Sequence, residues 1–87
     1  MDKFKVIIVE DVKLELKGTE EIFRHEIPDA EVIGTAMTEE EFWTLLESKT
    51  PDMVLLDLGL GGSTTIGIDI CARLHKERPE IKVLIFT

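Results

Sequence analysis

Phe4-Lys5-Val6-Ile7-Ile8-Val9-Glu10-Asp11 is the stretch on which the fold turns. It is rich in β-branched residues, almost unbroken in apolar character, and it stops on two acids. A strand with one wet face would alternate apolar and polar residues. An unbroken run suits a strand covered on both faces, as in a parallel sheet. Two further runs share this character. Met53-Val54-Leu55-Leu56 stops on Asp57, and Val83-Leu84-Ile85-Phe86 stops on Thr87. Glu31-Val32-Ile33-Gly34-Thr35-Ala36 is weaker and reads as an edge strand.

Helical patterns fill the intervals. Val12 to Ile27 places Leu14, Gly18 and Ile22 on one face, with Phe23 beside them. Gly18 lowers helix propensity, so a close approach to the sheet is expected there. Pro28-Asp29 ends this helix. Thr38-Glu39-Glu40-Glu41 matches a capping box, and Phe42, Leu45 and Leu46 form the apolar stripe behind it. Thr50-Pro51-Asp52 is a turn signal. The third helix is expected to begin near Thr65 or Ile66, to bury Ile66, Ile70 and Leu74, and to stop before Pro79. Strands alternating with helices over short connections predict an α/β fold with right-handed crossovers. The expected sheet is parallel and doubly wound, in the order 2-1-3-4. Ending on a buried-type strand with no covering helix predicts a truncated domain.

The 87 residues suffice for one domain. A net charge of −8 disfavours nucleic acid and anionic membrane as partners of this segment. It favours metal cations or basic protein surfaces. No apolar run approaches the roughly 20 residues needed to cross a bilayer. The apolar stretch near the N-terminus is too short for a signal peptide, so a cytoplasmic location is expected. The single cysteine, Cys71, excludes an internal disulfide and fits a reducing compartment.

In an open α/β sheet, ligands bind beyond the carboxyl ends of the strands, where the winding reverses. That rule selects Glu10 and Asp11 after the first strand, Asp57 after the third and Thr87 after the fourth. With the first and third strands adjacent, three carboxylates converge. Such a cluster needs a proton or a cation to offset its repulsion. Mg2+ suits an all-oxygen site and leaves room for phosphate oxygens. A carboxylate screened in this way can attack phosphorus, giving an aspartyl phosphate. The bland alternatives are a turn residue at Asp57 and a helix cap at Glu10-Asp11.

Lys5-Val6-Ile7-Ile8-Val9-Glu10-Asp11, Pro51-Asp52-Met53-Val54-Leu55-Leu56-Asp57-Leu58 and Ile81-Lys82-Val83-Leu84-Ile85-Phe86-Thr87 resemble the first, third and fourth strands of bacterial response-regulator receiver domains. Their spacing matches as well. The resemblance implies a flavodoxin-like fold, of which residues 1–87 would be a partial receiver domain lacking the fifth strand and last two helices. It implies that Asp57 is the phosphoacceptor and that Glu10, Asp11, Asp57 and the backbone carbonyl of Gly59 hold Mg2+. It implies that Thr87 is the switch hydroxyl. The phosphoryl donor would be a sensor histidine kinase. The activity would be that of a self-phosphorylating signalling switch in a two-component phosphorelay, not of a turnover enzyme. The Val32 to Ala36 strand resembles regulators with a helix-turn-helix DNA-binding output, which implies transcription regulation by the parent protein.

The pattern departs from the family at several points. Glu10 stands where Asp is commoner. Gly61 stands where Pro is usual, and Gly67 arrives about two residues late, so the Leu58 to Thr65 loop is expected to be longer and looser. The lysine of the fifth strand is absent, so this segment alone is expected to phosphorylate poorly and its parent protein to do so well. These departures keep open a receiver-like protein-interaction module that never takes phosphate. A metal-dependent phosphohydrolase ranks below it, because Gly59 occupies the place where a second acid is wanted.

The glycine- and hydroxyl-rich Gly59 to Thr65 stretch lacks the lysine of a P-loop, so a capped loop is expected there. Cys71 is expected to be a buried, inert thiol, and His25 and His75 surface residues. Trp43 is expected to pack partially. An unpaired fourth strand predicts self-association or domain swapping through Lys82 to Thr87, as a homodimer or a swapped oligomer.

Overall fold

The computed structural model describes residues 3–62 and 64–86. Four parallel strands run β1 (Phe4–Val9), β2 (Ala30–Ala36), β3 (Met53–Asp57) and β4 (Lys82–Phe86). Three helices connect them: α1 (Lys13–Glu26), α2 (Glu39–Ser48) and α3 (Thr64–Glu77). The sheet order is β2-β1-β3-β4, with every pairing parallel. The weak second strand is indeed an edge.

The continuous run of β1 is explained by its two covers. Ile7 and Val9 point to one face and join Val54, Leu56, Phe42, Ile70 and Leu74. Val6 and Ile8 point to the other and join Leu16, Phe23 and Leu55. All four β1 side chains are fully buried. Each such burial contributes about 1.5–3 kcal/mol. An alternating sequence could not cover both faces in this way.

Helix α1 corrects one expectation. Its buried residues are Leu16 and Phe23, seven apart and on one side of the helix. Leu14 is 80% exposed and Ile22 55% exposed. A Cβ added at Gly18 would meet nothing within 4 Å, so the expected close approach is absent. Leu14 and Leu16 lie about 200° apart around a helix, so only one can face the sheet. The bulky Phe23 shares Leu16's side, and the groove over Val6, Ile8 and Leu55 takes that pair.

The close approach falls instead at Gly34 on β2, where a Cβ would sit 3.2 Å from a methyl of Leu45. The β1–β2 register slips there: Val6 pairs with Val32 but Ile7 with Gly34, leaving Ile33 as the extra residue.

Thr38 caps α2 as expected, its hydroxyl accepting from the Glu41 N–H at 3.1 Å. Glu41 reaches back to the N–H of Met37 at 2.9 Å, one residue before the cap. Thr38→Ala is expected to cost about 1 kcal/mol, read as a shift in urea midpoint at constant slope. A midpoint unchanged within error would show that the Glu41–Met37 bond carries this end of the helix alone.

Helix α3 buries Ile70 and Leu74 and half-buries Ile66, as expected, although it begins at Thr64. Trp43 is half-buried. Its ring lies 4.0 Å below the Arg73 guanidinium of α3, and its indole N–H donates to Glu39 at 3.0 Å. Cys71 is half-buried rather than fully so, and burial pushes its thiol pKa up, away from reactivity. His25 is exposed and lies 2.9 Å from Glu21, and His75 is exposed too. Among the described residues, no helix is long and apolar enough to cross a membrane.

Candidate functional site: an acidic cluster at the carboxyl edge of the sheet

Strand pairing builds the site. Val9 lies beside Leu56 in the β1–β3 ladder, so the residues that follow, Glu10 and Asp57, emerge next to each other. The Glu10 N–H donates to the Ala36 carbonyl at 3.0 Å, continuing the pairing of β1 with β2 and fixing the backbone there. On the other side, the Leu58 N–H donates to the Phe86 carbonyl at 2.9 Å. The acids thus leave a sheet that is held on both flanks.

One carboxylate oxygen from each of Glu10, Asp11 and Asp57 lies within 4.8 Å of the others. The three predicted acids do meet. Glu10 is fully buried, while Asp11 and Asp57 are half-buried. Burial is the main force that pushes the Glu10 carboxyl up to about 8, and the neighbouring carboxyl groups of Asp57 and Glu15 raise it further. Its Oε2 is 3.4 Å from the Val12 N–H, but its Oε1 is buried with no hydrogen-bond partner. A buried, orphaned carboxylate oxygen is costly unless something positive approaches it.

The capping alternative for Glu10-Asp11 is not what holds these side chains. The cap position of α1 is Val12, and it carries no side-chain bond. The Asp11 carboxylate is engaged across the chain, accepting from the Gly61 N–H at 3.0 Å. Asp57 accepts from the Gly59 N–H at 3.0 Å. The Gly59 carbonyl, predicted as a metal ligand, accepts from the Gly62 N–H at 2.9 Å and keeps a second lone pair. Thr87 lies outside the described residues.

Within the loop after Asp57, residues 58–62 contain a packed turn. A 3-10 turn spans Leu60–Gly62, and Leu60 is 1% exposed, plugged into the core beside Leu56 and Ile70. Gly61 and Gly62 have φ of 69° and 76°, the left-handed region that side chains resist. Gly67 on α3 is buried against the backbone of Leu58, where a Cβ would come within 3.1 Å of the Leu58 carbonyl. The displaced glycine therefore still seats the helix against the loop.

The chemistry of the donor set fits a hard divalent cation. All candidate ligands are oxygens, two or three are anionic, and one buried oxygen receives no hydrogen bond from a donor.

The sequence model of the response regulator receiver domain matches residues 6–87. The chain belongs to that family. It is 29% identical over 83 residues to the methanol utilization control regulatory protein MoxX of Paracoccus denitrificans, covering 95% of this chain and 36% of that protein. It superposes on the non-phosphorylated receiver domain of the stress response regulator RcsB from Escherichia coli with a TM-score of 0.84. Sequence identity there is 19%, and the match covers 99% of this chain and 66% of that one. The isolated RcsB receiver domain of Salmonella enterica serovar Typhimurium, with the phosphomimetic BeF3−, gives 0.85 at 19% identity, covering 97% and 61%. The four-stranded order 2-1-3-4 with three helices is this receiver fold, so the flavodoxin-like expectation holds. The receiver chain spans about a third of the length of MoxX.

Sequence reasoning missed two participants. Glu15, one turn into α1, adds to the pressure on Glu10. The Gly61 N–H holds Asp11. A backbone donor leaves no trace in residue type, so only the folded geometry reveals that contact.

Proposed function

We propose that this receiver chain is a phosphorylation-dependent signalling switch in which Asp57 takes a phosphoryl group from the phosphohistidine of a sensor histidine kinase. The observation that carries this reading is the convergence of Glu10, Asp11 and Asp57 within 4.8 Å, with one buried oxygen unsatisfied. An Oδ of Asp57 attacks phosphorus, the P–N bond breaks, and the imidazole leaves with a proton. Asp57 is half-buried at the sheet edge, and the Gly59 N–H restrains its carboxylate. Glu10, Asp11, Asp57 and the Gly59 carbonyl would hold Mg2+, which supplies positive charge to the transferring phosphoryl oxygens. Thr87 is proposed as the hydroxyl that turns towards the phosphoryl group. The chain is a switch, not a turnover enzyme, and it acts in the cytoplasm.

Output through transcription is part of the proposal. MoxX is a regulatory protein, and RcsB has been solved on promoter DNA. The net charge of −8 argues that any DNA contact lies outside this segment. A second copy is a proposed partner. Among the described residues, β4 pairs only with β3, and Leu84 and Ile85 on it are 54% and 47% exposed. Light scattering across a concentration series tests this, and a constant monomer mass would sink it.

The decisive experiment takes the protein that carries this segment and incubates it with Mg2+ and acetyl phosphate. Intact mass spectrometry should show one phosphoryl adduct, absent in Asp57→Asn and absent without Mg2+. No adduct at all would leave the non-phosphorylated interaction module as the better reading. Continuous phosphate release would favour the phosphohydrolase.

A further inference from the structure

Two backbone donors from one turn hold two of the three acids. The Gly59 N–H binds Asp57 and the Gly61 N–H binds Asp11, each at 3.0 Å. Asp11 and Gly61 are 50 residues apart in sequence, so this bond ties the end of β1 to the loop after β3. The turn that presents Gly61 is itself fixed. Leu60 is sunk into the core, the Gly62 N–H closes the turn on the Gly59 carbonyl, and Gly61 and Gly62 hold a left-handed backbone. A Cβ at Gly61 would sit 2.8 Å from the Ile66 side chain, so the turn is packed as well as bonded. The donor reaches Asp11 only because residue 61 has an N–H. Proline, usual here among the sequences this chain resembles, has none.

We infer that Gly61 is a positioning residue for the cation site: its N–H holds the half-buried Asp11 carboxylate beside Glu10 and Asp57, against the repulsion of the Asp57 carboxylate. The inference rests on the Mg2+ reading of the acidic cluster. Without that donor, Asp11 is a short side chain at a strand end, repelled by the Asp57 carboxylate and free to turn into water. A cation arriving at the site would then have to order Asp11 as well as bind it. Groups that hold ligating carboxylates in place typically change metal affinity by about tenfold or more when removed.

Cys71 allows a synthetic 1–70 piece to be ligated to the expressed remainder of the protein that carries this segment, so a single amide can be replaced by an ester. Glycolic acid in place of Gly61 deletes the N–H and keeps the shape and the left-handed backbone. The control places lactic acid at Ala30, whose N–H bonds the Ile27 carbonyl at 3.1 Å, at the amino end of the strands. Mg2+ titration is followed by calorimetry, and stability by urea denaturation. The ester at position 61 should weaken Mg2+ binding about tenfold. The ester at position 30 should lower the urea midpoint and leave Mg2+ affinity within about twofold of the unmodified protein, because that amide touches none of the proposed ligands. A purely structural role for Gly61 would make both esters alike. Unchanged or tighter binding in the position 61 ester overturns the inference. Absence of Mg2+ binding in the unmodified chain overturns the cation reading itself, and this inference with it.

Discussion

Glu10→Gln is expected to make the cation-free chain more stable at alkaline pH while abolishing its response to Mg2+. The sign follows from the raised pKa. Burial, with Asp57 and Glu15 beside it, pushes the Glu10 carboxyl from an ordinary 4.5 to about 8. Between those values the folded chain holds a proton that the unfolded chain has released. Stability is therefore full in acid and falls as pH rises from about 5 through about 8. Glutamine mimics the protonated form, so its stability curve should lack that slope. At pH 8.5 without cation, the variant should be the more stable, by at most about 5 kcal/mol, since each tenfold difference in proton affinity is worth about 1.4 kcal/mol. At pH 5 the two should nearly coincide. Mg2+ should flatten the parent's slope, because a cation offsets the ionised carboxylate. Urea unfolding at several pH values, with and without Mg2+, reads all of this. A parent whose stability does not fall between pH 5 and pH 8.5 would show that Glu10 is not held protonated.

Phe42→Ala should be the most damaging single change in the core. Phe42 is fully buried at the start of α2, its ring centroid 4.9 Å from that of Trp43, in the cluster that joins β1, β3 and α3. Truncation of a buried Phe costs about 3–5 kcal/mol through lost transfer energy and the cavity left behind. At the usual stability per residue, 87 residues account for only about 4–13 kcal/mol. A substantial unfolded fraction at 37 °C is expected, and Trp43 emission should shift to the red. Truncating the exposed Leu14 in the same way should change stability by no more than about 0.5 kcal/mol. Equal losses from Leu14→Ala and Phe42→Ala would contradict the assignment of α1's buried face.

That contrast shows where sequence reading failed. Leu14, Gly18 and Ile22 make as regular a stripe as Leu16 and Phe23 do. Periodicity finds an amphipathic helix but cannot choose between two candidate faces when both carry apolar residues. The choice belongs to the groove that Val6, Ile8 and Leu55 form beneath α1. The same holds for the glycines. Gly18 and Gly34 look alike in sequence, and only the packing of Leu45 shows that Gly34 is the crowded one.

The layered α/β plan, the strand order and the meeting of Glu10, Asp11 and Asp57 were all legible in the order of residues. Continuous apolar runs suit strands covered on both faces, and acids that follow two adjacent parallel strands emerge at the same edge of the sheet. The buried face of α1, the depth at which Glu10 sits and the grip of the Gly61 N–H on Asp11 were not legible there. Burial depth and backbone hydrogen bonds arise from how elements separated in the chain pack together. Residue identity carries no record of them.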